Sequence, residues 1–211
     1  VPIQWIPENP RWQNYVDIWH KIPLSKFVLN TVKLTLIVTF LQLLTSSFAA
    51  YAFAKLQFKG KNTLFLAYIT TIAVPWQVYM VPQFMMMRSF GLADTHLAII
   101  CLQAFSAFGV FMMKQFYEGI PTELCEAARI DGMTEYQIWY RVMLPLSKPA
   151  LSTLTIFTFV NTWNDFLGPL IYLTTESKKT LQLGLRMFIS QFGSEYAVSY
   201  THLTLPTTSR V

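Results

Sequence analysis

Apolar residues run along this chain in long unbroken stretches, not in the alternating or three-to-four-residue patterns of a half-buried soluble surface. No Asp, Glu, Lys or Arg occurs from Leu34 to Ala54, from Asn62 to Met87 or from Thr95 to Met113, and a fourth stretch, Pro149 to Thr175, carries only Asp165. A membrane-crossing helix needs about 20 mostly apolar residues, so the pattern predicts four spans. Pro75 and Pro82 predict a kinked or broken second span, which a membrane tolerates where neighbours or a cavity satisfy the freed backbone groups. The small residues Ala104, Ser106, Ala107 and Gly109 predict close helix contacts in the third. Gly168 and Pro169 predict an end or bend in the fourth before Leu170 to Leu173.

Composition sharpens this picture. Of 211 residues 53% are hydrophobic and only 13% charged, against roughly 25% charged in an ordinary soluble domain. Disorder is excluded by the hydrophobicity, and a disulfide scaffold by having only Cys101 and Cys125, in unlike surroundings. The net charge of +5 does not point to nucleic acid, because the sixteen Lys and Arg punctuate the gaps between apolar runs and form no phosphate-tracking stripe. Membrane lipid is the expected surrounding, with Lys33 snorkelling to the interface. Lysine bias then sets the orientation. The Lys55–Lys61 gap and the 114–148 segment lie inside, while residues 1–27, the short connection at Arg88 and everything after about residue 175 lie outside.

The ends read differently. The chain opens at Val1 on Pro-, Trp- and Asn-containing sequence with no visible signal peptide, which is the expectation for an incomplete N-terminus and an extracytoplasmic segment at residues 1–27. Residues 28–197 form the expected transmembrane domain, with an inside loop at 117–148. Residues 198–211, Thr-rich and unlike the rest, read as a non-native tail.

The inside loop is the informative segment. In it Pro121 suits a first helical turn, Glu123 favours the positive end of a helix dipole, and Gly132 is placed to stop the helix with a left-handed residue. Thr134 and Gln137 have capping-box spacing, which starts a second short helix running towards Leu144, ahead of Pro145. On the first helix Leu124, Ala127 and Ala128 share a face by spacing, with Glu123, Glu126 and Arg129 around the other side. Spacing alone leaves two readings of that small apolar face: a surface for a partner's groove, or packing against the protein's own spans.

Glu126-Ala127-Ala128, then Gly132, then Val142-Met143-Leu144-Pro145 resemble the cytoplasmic EAA loop of permease subunits of bacterial ATP-binding-cassette importers; Val142 stands where that pattern commonly has Ile. With Asn30-Thr31, Ala50-Tyr51-Ala52-Phe53-Ala54 and Trp163-Asn164-Asp165-Phe166-Leu167, residues 7–197 are similar to the MalG-like carbohydrate-importer permeases. The resemblance implies an all-α, polytopic helical bundle of six spans, four of them visible here, in the cytoplasmic membrane of a bacterium. It implies a coupling loop, residues 121–145, seated on a separate ATPase. Glu123, Leu124, Glu126, Ala127, Ala128, Arg129, Asp131, Gly132, Leu144 and Pro145 would form that loop, with Glu126 and Arg129 as polar contacts. The implied partners are an ATPase dimer, a second permease subunit and an extracytoplasmic solute-binding protein.

No catalytic set accompanies these motifs. The chain has no Gly-rich Lys-Ser/Thr loop for ATP phosphates, so no cofactor is expected on this chain and ATP belongs to the partner. His20, His96 and His202 stand apart, without carboxylates at metal-ligand spacing. Asp165 is an ionisable residue within a span, which fits either a solute-path role or a structural hydrogen bond satisfied by water or Asn164. Trp76, Tyr79, Asn164 and Asp165 are the candidate solute-path residues, with the Met85-Met86-Met87 run as a weaker one; span aromatics equally serve lipid and helix contacts. The expected function is a non-enzymatic permease subunit carrying a sugar or sugar-like solute by alternating access. An ion-coupled secondary transporter or a membrane scaffold is the alternative.

Overall fold

The computed structural model describes residues 23–186, and all regular structure among them is helical. Most of the 1–27 segment and the whole 198–211 tail lie outside the described residues. Helix α1, Leu24–Lys55, contains the first apolar stretch. Its 32 residues rise about 48 Å, enough to carry both ends past a hydrocarbon core of about 30 Å.

The second stretch is broken rather than kinked. Helix α2, Lys61–Thr70, passes through a short 3₁₀ turn at Thr71–Ala73 and meets α3, Trp76–Ser89, at 101°. Pro75 makes this break, whereas Pro82 is accommodated inside α3. The third stretch also divides, into α4, His96–Gln103, and α5, Ala107–Glu118. Ser106 is the cause: its Oγ accepts the Gly109 N–H at 3.1 Å and so begins a new helix. Gly109 itself is buried against Ser46 of α1, the close contact expected of this segment.

The inside loop supplies α6, Glu123–Ile130, and α7. Helix α7 opens at Glu135–Ile138, widens into a π-turn at Trp139–Met143 and closes at Leu144–Leu146. The sequence pattern ended this helix ahead of Pro145, yet it runs through it. The wide turn makes that possible, because Pro145 has no N–H for the Arg141 carbonyl and its ring crowds a regular turn. Helix α8, Lys148–Trp163, then leaves at 81°. The fourth stretch breaks at Asn164–Phe166, earlier than Gly168 and Pro169 predicted, before α9, Leu167–Tyr172. Among the described residues two helical units, Leu24–Lys55 and His96–Glu118, are long and apolar enough to cross a membrane, and counting each of the two bent pairs as one span brings the number to four.

Helix α1 packs chiefly along α5 and α8. Around its Lys55 end a core forms from Tyr51, Met113, Tyr117, Cys125, Ile138 and Met143. The loops sort by end, as the charge bias requires. At the Leu24 end, Asn30 Nδ2 donates to the Ser177 and Lys179 carbonyls at 2.9 and 3.0 Å. There too Asp94 accepts from the Thr174 and Thr175 N–H groups and from Lys178 Nζ, all within 3.0 Å. Lys178 holds the Asp94 carboxyl well below the usual carboxylate range. At the opposite end Lys55 Nζ donates to the Ile120 carbonyl at 2.5 Å.

Candidate functional site

Two sites emerge, the loop at the Lys55 end and a cavity near mid-span. The loop is built by local chemistry. Glu123 and Glu126 in the first turn of α6 and Arg129 in its last suit the dipole. Pro121 falls before the N-cap Thr122, one position outside the helix predicted for it. The α6 end is a Schellman turn: Met133 N–H reaches the Ala128 carbonyl and Gly132 N–H the Arg129 carbonyl, both at 3.0 Å. Gly132 has φ of +79°, where a side chain costs roughly 1–2 kcal/mol. The capping box then starts α7, with Gln137 Oε1 accepting from Thr134 N–H at 2.9 Å and Thr134 Oγ1 from Gln137 N–H at 3.4 Å.

The shared face of Leu124, Ala127 and Ala128 does not hold. Ala128 turns inward beside Cys125, 5% and 0% exposed, into the core that also contains Tyr51 and Met143. Leu124 and Ala127 stay exposed, with Glu123, Glu126, Asp131 and the 87%-exposed Ile130. The reason is the i, i+3 pair Cys125/Ala128, which offers the core a small apolar stripe one position round from the predicted one. Leu144 is half-buried and Pro145 exposed.

The fastening of this loop was not foreseen. Glu135 Oε1 accepts Arg129 Nε at 2.7 Å, and its Oε2 accepts Arg129 Nη2 at 3.3 Å and the Tyr51 hydroxyl. One carboxylate therefore ties α6, α7 and α1 together. Phe48 adds a stacked contact to Tyr136 and an edge contact to Trp139. Arg129 is thus engaged within the chain. The only sequence signal for Glu135 was its place next to the capping Thr134.

The Arg129 guanidinium holds the Glu135 carboxyl below the ordinary glutamate range, against the opposing effect of burial. A depressed carboxylate stabilises the fold fully above its unfolded value of 4.5 and loses that contribution as pH falls through its folded value. The loop is therefore expected to stay fastened at neutral pH and to loosen only in acid. Both partners are more than a third exposed, so Glu135→Gln is expected to cost at most about 1 kcal/mol. Thermal unfolding in detergent at pH 7 and pH 4 checks this: the wild-type advantage over Glu135→Gln should shrink at the lower pH.

The second site is a cavity of about 410 Å³, within the range of small-molecule pockets. Three helix breaks converge on it: Trp76 follows the α2/α3 break, Gln103 and Ser106 flank the α4/α5 break, and Asp165 sits in the α8/α9 break. Gln42, near the middle of α1, lines it, which sets it at mid-span depth. Non-helical backbone at that depth is tolerated where it is buried in protein or lines a cavity.

Of the residues singled out in the sequence, the cavity gathers Trp76, Tyr79 and Asp165. Asn164 is not among its walls; its side chain bonds the Val160 carbonyl and Gln182. Asp165 is held not by Asn164 but by Gln103 Nε2 at 2.7 Å and the Gly168 N–H at 3.1 Å. A Cβ at position 168 would strike that carboxylate and push it from its place. Met87 belongs to the core and Met85 and Met86 are exposed elsewhere, so the Met run lines nothing here. Gln42, Gln83, Gln103, Thr158, Asn161 and Thr162 were missed, being uncharged polar residues dispersed among apolar ones.

A bundle with broken spans around a polar mid-depth cavity, and a helix-turn-helix presented at one end, is the architecture of a membrane permease subunit. The chain belongs to the binding-protein-dependent transport system inner membrane component family, whose model matches residues 42–208. That match reaches into the stretch read above as a tail. The arabinooligosaccharides transport system permease protein AraQ of Halalkalibacterium halodurans is 37% identical over 169 residues, covering 80% of this chain and 61% of its own. The lactose transport system permease protein LacG of Rhizobium radiobacter is 32% identical over 199 residues, 93% of this chain and 73% of its own. The sn-glycerol-3-phosphate transport system permease protein UgpE of Yersinia enterocolitica is 30% identical over 200 residues, 92% and 71% respectively. Among solved structures, a bacterial ABC transporter involved in the import of the acidic polysaccharide alginate matches with a TM-score of 0.82 at 28% identity, covering 93% of this chain and 70% of that one. The chain thus spans 61% of the length of its AraQ relatives.

Proposed function

We propose that this chain is the membrane-spanning part of an importer permease subunit that moves a sugar or sugar-like solute by alternating access, driven by a separate ATPase through the 121–145 loop. The observation that carries the reading is the two-sided build of α6. Cys125 and Ala128 and the Glu135 clasp fix the helix to the spans, while Leu124, Ala127, Glu126 and Ile130 are left outward. A lever needs both properties: rigid attachment to what it moves, and an unoccupied face for what moves it. The solute would cross through the mid-span cavity at the boundary with a second permease subunit, after delivery by a solute-binding protein. The chain itself performs no chemistry in this reading. An ion-coupled carrier is favoured by nothing comparable, since Asp165 is the only carboxylate in the cavity among the described residues and is already held by Gln103 and Gly168.

The test restores the full-length chain, co-expresses it with its companion permease and ATPase, and compares wild type with Glu126→Ala and Gly132→Ala. Both variants are expected to insert normally yet to lose ATPase co-purification and solute-stimulated hydrolysis at least several-fold. Wild-type behaviour of both would make the loop an ordinary connection and favour the carrier or scaffold reading.

A further inference from the structure

The cavity's polar groups are oriented, and their orientation specifies the solute's chemistry. Gln83 Oε1 accepts from Trp76 Nε1 at 2.7 Å and from the Tyr172 hydroxyl at 3.2 Å. An indole N–H only donates, so the Gln83 amide is locked with its oxygen engaged and its NH₂ left to donate. Gln103 is locked the opposite way. Its Nε2 donates to Asp165 Oδ2 at 2.7 Å, and a carboxylate only accepts, so the Gln103 carbonyl is left to accept.

The remaining wall carries groups that both donate and accept. Gln42, Asn161 and Thr162 line it, and the buried Thr158 hydroxyl, in a side chain 3% exposed, has no hydrogen-bond partner among the described residues. Trp76, Tyr79 and Phe105 contribute flat apolar surface. Asp165 is the cavity's one charged residue, and no Lys or Arg lines it among the described residues. A hydroxyl both donates and accepts, so it matches a fixed donor and a fixed acceptor together. A phosphate, sulfonate or carboxylate only accepts, and it would approach Asp165 with no cation to offset the repulsion.

We propose that this cavity selects a neutral, hydroxyl-rich solute and rejects anionic ones, with Gln83 as fixed donor and Gln103 as fixed acceptor to the solute's hydroxyls. The proposal rests on the transport reading above and narrows it.

The test uses the complete transporter in proteoliposomes, with its own binding protein, and reads ATP hydrolysis against two sets of probes. Xylobiose, cellobiose and maltotriose are the neutral probes; digalacturonate and glucose 6-phosphate are the anionic ones. At least one neutral probe is expected to stimulate hydrolysis severalfold and neither anionic probe to do so. Gln83→Glu replaces the donor by an acceptor and adds a second negative charge. It is expected to lower stimulation by the neutral probe at least tenfold while the ATPase still co-purifies, a readout that the binding protein's own preference does not move. Stimulation by an anionic probe, absence of stimulation by every neutral probe, or an unchanged response in Gln83→Glu with its ATPase retained would each overturn the proposal. The transport reading is judged separately by Glu126→Ala. If that variant sheds the ATPase while the solute result fails, only the selectivity is wrong; if it keeps the ATPase, the transport reading falls as well.

Discussion

Ala127→Trp and Ala128→Leu, one position apart, are expected to fail in opposite ways. Position 127 is exposed and touches none of the chain's core, so a tryptophan there should leave insertion and thermal stability within about 0.5 kcal/mol of wild type. It fills the space in which a partner would seat, and loss of such a central contact is worth about 2 kcal/mol or more, roughly thirtyfold in affinity. ATPase co-purification should therefore vanish from a well-folded protein. Position 128 is 5% exposed beside Cys125, and the extra methylenes of leucine would press on the core around Tyr51 and Met143. Overpacking there costs roughly 1–3 kcal/mol, so this variant should lose stability first and its ATPase only as a consequence. Detergent thermal unfolding beside co-purification separates the two. If Ala127→Trp keeps the ATPase, the outward face of α6 is not the docking face.

The second large effect is expected at Asp165→Leu. The carboxylate accepts from Gln103 Nε2 and from the Gly168 N–H, and leucine accepts from neither. Each hydrogen bond lost in this part-buried setting costs roughly 0.5–1.5 kcal/mol. Gln103 would lose its fixed orientation and the α8/α9 break its cap. Solute-stimulated hydrolysis should fall at least tenfold, while ATPase retention, which the proposed function assigns to the loop at the far end of α1, stays near wild type. Asp165→Asn keeps one acceptor where the carboxylate offers Oδ2 to Gln103 and Oδ1 to Gly168, so it should lose less of the response than Asp165→Leu but not match wild type. Equal loss in both variants would mean that one acceptor is not enough and the cavity needs the full carboxylate.

These contrasts depend on features of unequal visibility in the sequence. The apolar stretches announced the helices because charge-free length has one cheap use, burial in lipid. The Gly132 stop and the Thr134–Gln137 capping box were legible because they are made between residues at most five apart, and both formed as predicted. The EAA spacing was legible by resemblance, as a pattern running from Glu126 to Pro145.

What the sequence could not determine is where chains distant in number meet. Spacing placed Ala128 with Leu124 and Ala127, and only the arrival of Tyr51 and Met143 turned it inward with Cys125. Glu135 acquired its role from Tyr51, 84 residues away, and Asp165 acquired Gln103 from 62 residues away. The cavity needed three helix breaks to converge; two of them read as local bends in their own stretches, and the α4/α5 break did not show in the pattern. Local hydrogen bonds and hydrophobic length are properties of a segment, so the sequence by itself determined the elements, their caps and their burial in a membrane. A shared carboxylate or a common cavity wall exists only after tertiary packing, so the structure alone decided which face of α6 points outward and which polar residues line the mid-span cavity.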